Sequence, residues 1–332
     1  MNIRATLNDL LRRKSPRSRG SRPPWVGPLA ALLAVYAIFM VLSPSTFGRT
    51  QNLVTMARQT VVVGIAASGM TLVIIAGGID LSVGSMVALT TVLVASILKS
   101  GSGAAAAAAL AVLATAALGT ATGLLVASLK IRPFIVTLGA MTILRGAAKG
   151  LAREQKIDVD PRGLDTLLAA LPPDRAFLLF PPGVWAMLAV TLLTAGLLNY
   201  TRIGLHIFAI GSNEPTAVLA GVAVKRVKVF VYAFAAALAG VAGVLEFSTL
   251  TVGDPTDSIG LELEVIASVV IGGASLSGGE GSVFGSLIGA CLMTVIKTGC
   301  THMGLPNWVQ ELVTGTIIIV AVMLDRLRTR RS

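Results

Sequence analysis

The chain has 332 residues, of which 54% are hydrophobic and only 13% charged, with a formal net charge of +11. A soluble domain carries about 25% charged residues, so a soluble fold is excluded, and disorder, a disulfide scaffold and a fibre go with it. What remains is an all-α polytopic membrane protein, whose 35 glycines suit helices packed closely in lipid.

The first 24 residues hold Arg4, Arg12, Arg13, Lys14, Arg17, Arg19 and Arg22 and no apolar run, so they read as a basic tail without a cleavable signal peptide. A spanning helix needs about 20 mostly apolar residues. Spans are predicted at 26–42, 60–77, 82–98, 104–129, 133–151, 184–200, 229–249, 263–273, 283–300 and 308–324. The fifth and eighth are open to a re-entrant reading. Two polar stretches interrupt the series: 152–182, with Pro172, Pro173, Asp174, Pro181 and Pro182, and 201–228. Residues 25–325 form one transmembrane domain, and 326–332 form a second basic tail with Arg326, Arg328, Arg330 and Arg331. Ten spans put both tails on one side, and the positive-inside rule makes that side the cytoplasm. The basic tails are then topology determinants and not a nucleic-acid surface. Trp25, Trp185 and Trp308 each open a span, at interfacial depth. Cys291 and Cys300 fall on opposite faces of one predicted helix and are expected to stay reduced.

Little material for catalysis is present. His206 and His302 have no partner motif, no Cys or His cluster has metal-ligand spacing, and no Gly-Lys pair occurs, so a Walker A loop is absent. No cofactor is expected on this chain. If ATP and magnesium drive it, a partner chain binds them.

Three segments are unusual. At 69–89 two apolar helices are joined through Gly77, Gly78, Asp80, Ser82 and Gly84. Asp80 and Ser82 are placed to cap the second helix. The junction reads as a tight cytoplasmic turn, as a broken helix lining a path or acting as a hinge, or as a protonation site at Asp80. At 271–286 a second junction carries Gly272, Gly273, Ser277 and Gly278 and shares GG-x-x-L-S with the first. The likeness suggests two halves of five spans, which would be inverted. However, one junction follows the second span of its half and the other follows the third, so the shared letters also read as common junction chemistry. In 201–228, Asn213 can cap a short helix, Pro215 suits its first turn, and Gly221 can end it.

Together these segments resemble the permease subunits of ABC importers for simple sugars, the ribose and xylose type. The stretches SPSTFGRTQNL, GMTLVIIAGGIDLSVGS, RPFIVTLGAMTILRG, AIGSNEPTAVLAGV and VIASVVIGGASLSGGEGSVFGSLIGA carry the resemblance, in family order. It implies a permease homodimer in the bacterial inner membrane, two ATPase subunits on the cytoplasmic side, and a periplasmic or extracellular sugar-binding protein outside. Asn213, Glu214, Ala217 and Gly221 match the family's coupling helix, which enters the ATPase groove. Val218 and Leu205 stand where the family commonly has Arg. A neutral monosaccharide needs a path of hydroxyls, amides and small residues, which adds Thr137 and Gly139 as path candidates. Arg145, Lys149 and Arg153, spaced i, i+4, i+8, read either as snorkelling cations or as a docking stripe for acidic residues of the binding protein. The alternatives are an ion-coupled secondary sugar transporter using Asp80 or Glu246, and a passive channel or scaffold.

Overall fold

The computed structural model describes residues 25–129, 131–172 and 177–329. The basic tail 1–24, Pro173, Asp174, Arg330 and Arg331 lie outside the described residues. The helices are α1 Val26–Leu42, α2 Pro44–Phe47, α3 Thr50–Ile75, α4 Val83–Lys99, α5 Ala104–Leu129, α6 Pro133–Leu151, α7 Pro182–Tyr200, α8 Arg202–Ser212, α9 Glu214–Leu219, α10 Val224–Leu250, α11 Leu261–Ile271, α12 Val283–His302 and α13 Asn307–Thr329. Two short strands, β1 Ile157–Asp158 and β2 Val252–Gly253, pair antiparallel. The protein is an all-α polytopic membrane protein. Each predicted span coincides with a helix, and α3, α5, α6, α7, α10 and α12 are long and apolar enough to cross a bilayer.

Helix α3 is the axis of the bundle and is buried along nearly its whole length. It starts ten residues before the predicted span, at Thr50, because its polar first turns find protein partners instead of water. Asn52 donates to the Phe47 carbonyl at 2.8 Å and lies 3.1 Å from His302, and the Thr298 hydroxyl donates to Gln59 at 3.1 Å. Further in, Thr60 donates to Thr294 at 3.0 Å and Thr71 to Ser286 at 2.7 Å, which ties α3 to α12. Such interhelical hydrogen bonds are worth about 0.6 kcal/mol each. Helix α10 lies along α5 so closely that a Cβ on Gly123 would stand 2.9 Å from Val229 Cα. Backbones approach this near only where small residues line the seam.

The eighth predicted span is short, as helix α11, whose 11 residues cover about 16 Å, roughly half of a hydrocarbon core of about 30 Å. It is led in by Val252–Gly260, which descends beside α4 without helical structure, so that the two together make a broken span. A Cβ on Gly253 would meet Ala95 at 2.7 Å, the Asp254 amide donates to Thr91 at 3.2 Å, and Gly84 lies under the Ser258 carbonyl and Leu261. At about 1.5 Å per residue, Gly84 is about 22 Å along α4 from Lys99, so the segment runs deep into the bundle.

The described parts of the polar stretch, residues 152–172 and 177–182, pack over the opposite end from the glycine junctions. β1 ties the stretch to β2, Lys156 pairs with Asp254 at 3.0 Å, and Arg162 donates to the carbonyls of Gly101 and Ser102 at 2.9 and 2.7 Å. At the C-terminus α13 continues to Thr329, so the segment predicted as a tail from 326 begins as helix. Both cysteines are free thiols on α12.

Candidate functional site

The stretch 201–228 folds as two helices, one more than the sequence suggested. Thr201 caps α8 by accepting from the Gly204 amide at 3.2 Å. Asn213 then breaks the chain direction, with φ −160° and ψ 97°, and its side chain accepts from the Thr216 amide at 2.9 Å to start α9. Pro215 sits in the first turn of α9, where its missing N–H costs nothing. Gly221 follows at φ +82°, a left-handed conformation that a side chain would strain by about 1 kcal/mol. Ala217 is the buried residue of α9, while Val218 and Leu219 are 56% and 88% exposed. Glu214 is bound within its own chain: Lys228 of α10 donates to both carboxylate oxygens, at 2.8 and 2.7 Å.

The two glycine junctions meet at this element. The Gly279 amide donates to the Ile75 carbonyl at 2.9 Å, and Gly278 packs on Gly77. Gly211 of α8 is pressed between them, and a Cβ there would overlap the Ile75 carbonyl and stand 2.5 Å from the Gly279 amide. Gly77, Gly273 and Gly278 take φ values of +79°, +95° and +85°, while Gly272 packs on the Gly285 backbone. Ser277 donates its amide to Ser275 at 3.3 Å. A cavity of about 270 Å³ lies behind α9, lined among others by Gly78, Gly211, Asn213, Lys228 and Tyr232. The Tyr232 hydroxyl is buried without a hydrogen-bond partner.

Deeper in the bundle, Asp80 is buried and its Oδ1 accepts from the amide and the hydroxyl of Ser82, at 2.8 and 2.6 Å. In place of the expected cap on α4 there is a turn: Ser82 makes no side-chain capping bond, and its hydroxyl donates to Asp80. The broken span repeats this turn. Asp254 Oδ1 accepts from the amide and hydroxyl of Thr256, at 2.8 and 2.7 Å. Each Asp-x-Ser/Thr turn precedes the third helix of its half, α4 or α11. The two glycine junctions, by contrast, lie at one end of the bundle, whereas mates in an inverted repeat would lie at opposite ends. The GG-x-x-L-S likeness is thus junction chemistry, and the turns at Asp80 and Asp254 share the same hydrogen-bond pattern. The two short helices meet where Gly84 packs on Leu261 and Glu262.

Helix α6 holds both turns in place. Thr137 donates to the Ile79 carbonyl at 3.0 Å, and Arg145 donates to the carbonyls of Pro255 and Asp257 at 3.0 and 2.6 Å. Gly139 lies on the exposed flank of α6 with nothing near its Cβ position. The expected cationic stripe does not form. Arg145 turns inward to the broken span, α6 ends at Leu151, and Arg153 lies beyond the helix at φ +51°. Lys149 alone of the three is an exposed cation on the helix.

The family model described as branched-chain amino acid transport system / permease component matches residues 52–322. The chain belongs to this permease family. The permease is 39% identical over 297 residues to the ribose import permease protein RbsC of Escherichia coli K12, covering 90% of this chain and 92% of that one. It is 38% identical to RbsC of Bacillus subtilis 168, over 92% and 93% of the two chains. To the L-arabinose ABC transporter permease protein AraH of Azospirillum brasilense it is 30% identical, over 91% and 87%. No solved structure matches it.

Sequence reasoning missed four parts of the permease's site: Lys228, Gly211, Tyr232 and the Asp254–Thr256 turn. The repeated Asp-x-Ser/Thr triplet could have revealed the last. Lys228 and Tyr232 could not be found, because nothing in a sequence pairs a loop glutamate with a span fourteen residues on.

Proposed function

We propose that the permease forms the inward path for a neutral monosaccharide or related polyol through the inner membrane, as the membrane subunit of an ABC importer. A separate ATPase binds ATP and magnesium, and a sugar-binding protein delivers substrate to the opposite face. Two copies of the chain enclose the path, with both termini in the cytoplasm. The observation that carries this reading is the 30–39% identity, over about nine tenths of the chain, to permeases named for ribose and arabinose. The amino-acid label of the family model weighs less, since it describes the whole family.

The local geometry supports α9 as the coupling helix. Asn213, Ala217 and Gly221 shape the element, and its exposed tip, Val218 and Leu219, meets the ATPase groove. An apolar tip fits a chain that lacks arginine at 205 and 218. ATP binding then favours one of two states of the bundle through differential contact with α9. The junction glycines, Asp80, Ser82, Gly84, Thr137 and Gly139 serve as hinge or path residues in this scheme. The test is purification in mild detergent beside a Leu219→Asp variant, followed by reconstitution. An ATPase that accompanies the native chain and is lost with the variant, with uptake that requires ATP, is the expected result. Sugar flux in proteoliposomes without ATP would overturn the reading and favour an ion-coupled transporter or a channel.

A further inference from the structure

Residues Thr256–Gly260 form turns and no helix, with the Gly260 carbonyl accepting amides of the first turn of α11, and they lie within the depth of the bundle. Ser258 is beside Gly84, about 22 Å along α4 from Lys99. The Pro255 and Asp257 carbonyls are held by Arg145, about 9 Å below the end of α6. Yet this edge is not covered. Thr256 is exposed, Asp257 and Ser258 are half-covered, and Ile259 is 75% exposed. On α6, which Arg145 ties to this edge, Gly139, Thr142 and Gly146 are exposed at i, i+3 and i+7, which places them on one helix face. Irregular backbone and carboxylates at this depth are tolerated only inside protein or along a water-filled cavity, never against lipid.

We infer that the non-helical edge Thr256–Gly260, together with the Gly139–Thr142–Gly146 flank of α6, lines the aqueous path and contacts the solute. The inference rests on the transport reading above and deepens it to named residues. The chemistry fits a neutral polyhydroxyl solute. The Thr256 hydroxyl donates to Asp254 and keeps its oxygen free to accept, and the Asp257 carboxylate, which accepts from the Ser258 hydroxyl at 2.6 Å, has further lone pairs for solute hydroxyls. Around the edge, Asp254, Asp257, Glu262 and Glu264 outnumber Arg145, Lys156 and Lys297. Two of those carboxylates are already paired, Asp254 with Lys156 and Glu264 with Lys297. The remaining excess is acidic, which disfavours anions and leaves acceptors for hydroxyls. The Asp-x-Ser turn on the other half buttresses the same place from behind, because α4 begins directly after it and meets α11 at Gly84.

The test is thiol accessibility in the assembled, reconstituted transporter, with Cys291 and Cys300 replaced by Ser. Ile259→Cys and Thr142→Cys are compared with Leu113→Cys, on the exposed flank of α5, and with Gln155→Cys in the polar stretch. The probe is a charged methanethiosulfonate, which reacts with thiolate. A thiol facing hydrocarbon reacts about 100-fold or more slowly, given the cost of charge at that depth. The expected result is labelling of both path cysteines within about tenfold of Gln155→Cys, that is, above the lipid-facing limit, and slowed by D-ribose. Labelling of both as slow as Leu113→Cys would overturn the inference, whether lipid or a second protomer covers the edge. Should the cysteine-free chain fail to fold, the Ile259→Glu variant in the native chain gives the same decision. A path-facing carboxylate leaves the chain folded and impairs uptake, whereas a lipid-facing one prevents insertion. Uptake that needs no ATP would refute the importer reading without changing these labelling rates.

Discussion

Replacing Lys228 by Met removes a charge that reaches both oxygens of Glu214, at 2.8 and 2.7 Å, and leaves the aliphatic stem packed. The lysine side chain is 17% exposed and the glutamate 47%, so the pair is partly screened by water and is worth about 0.5–1 kcal/mol. That energy holds α9 against α10 about two- to fivefold more often than it would otherwise sit there. The pair spans the turn at Gly221, so it stiffens the joint between the coupling helix and α10. Sugar moved per ATP hydrolysed is therefore expected to fall by about two- to fivefold in Lys228→Met, with the ATPase still bound. The assay is paired initial rates of hydrolysis and uptake in proteoliposomes. The double variant Glu214→Lys with Lys228→Glu should recover most of the ratio. An unchanged ratio in Lys228→Met, or a double variant worse than both singles, would refute the reasoning and return Glu214 to a direct contact with the ATPase.

Arg145→Met strips the carbonyls of Pro255 and Asp257 of their donor; Pro255 is buried, so its bare carbonyl costs about 1–3 kcal/mol, while half-covered Asp257 turns to water, and the detergent melting temperature should fall. Arg145→Lys, with a single point of donation, should recover only part of it, and full recovery would show that charge alone matters. Gly211→Ala forces a methyl onto the Ile75 carbonyl and should cost about 1–3 kcal/mol of stability, whereas Gly139→Ala, in open space, should stay within about 0.5 kcal/mol. Equal melting temperatures for these two variants would contradict the contact between α8 and the junctions.

Most of the helices were legible because hydropathy reports burial in lipid or protein alike. The cap at Asn213 was legible because it is local chemistry within four residues. The start of α3 was hidden: Asn52 and Gln59 look like the end of a span until α12 supplies their partners. The eighth span was legible as short or re-entrant, but its non-helical lead-in was hidden for the opposite reason. A polar run such as Gly253–Gly260 is indistinguishable from a surface loop until Arg145, more than a hundred residues away, is seen holding it inside. The i, i+4, i+8 spacing of the arginine stripe failed because periodicity assumes a helix that here has already ended.

The burial of α3 also bears on how the chain is made. Its hydrogen bonds to α12 join residues 234 and 215 positions apart in the sequence. At a synthesis rate of about 5–20 residues per second, roughly 10–50 s pass between the emergence of the two helices. During that interval a helix with polar groups on several sides waits in the bilayer without the partners that satisfy them. Chains stopped before α12 are thus expected to present α3 to membrane proteases, and their half-life would report how long the nascent protein depends on chaperoning by the insertion machinery.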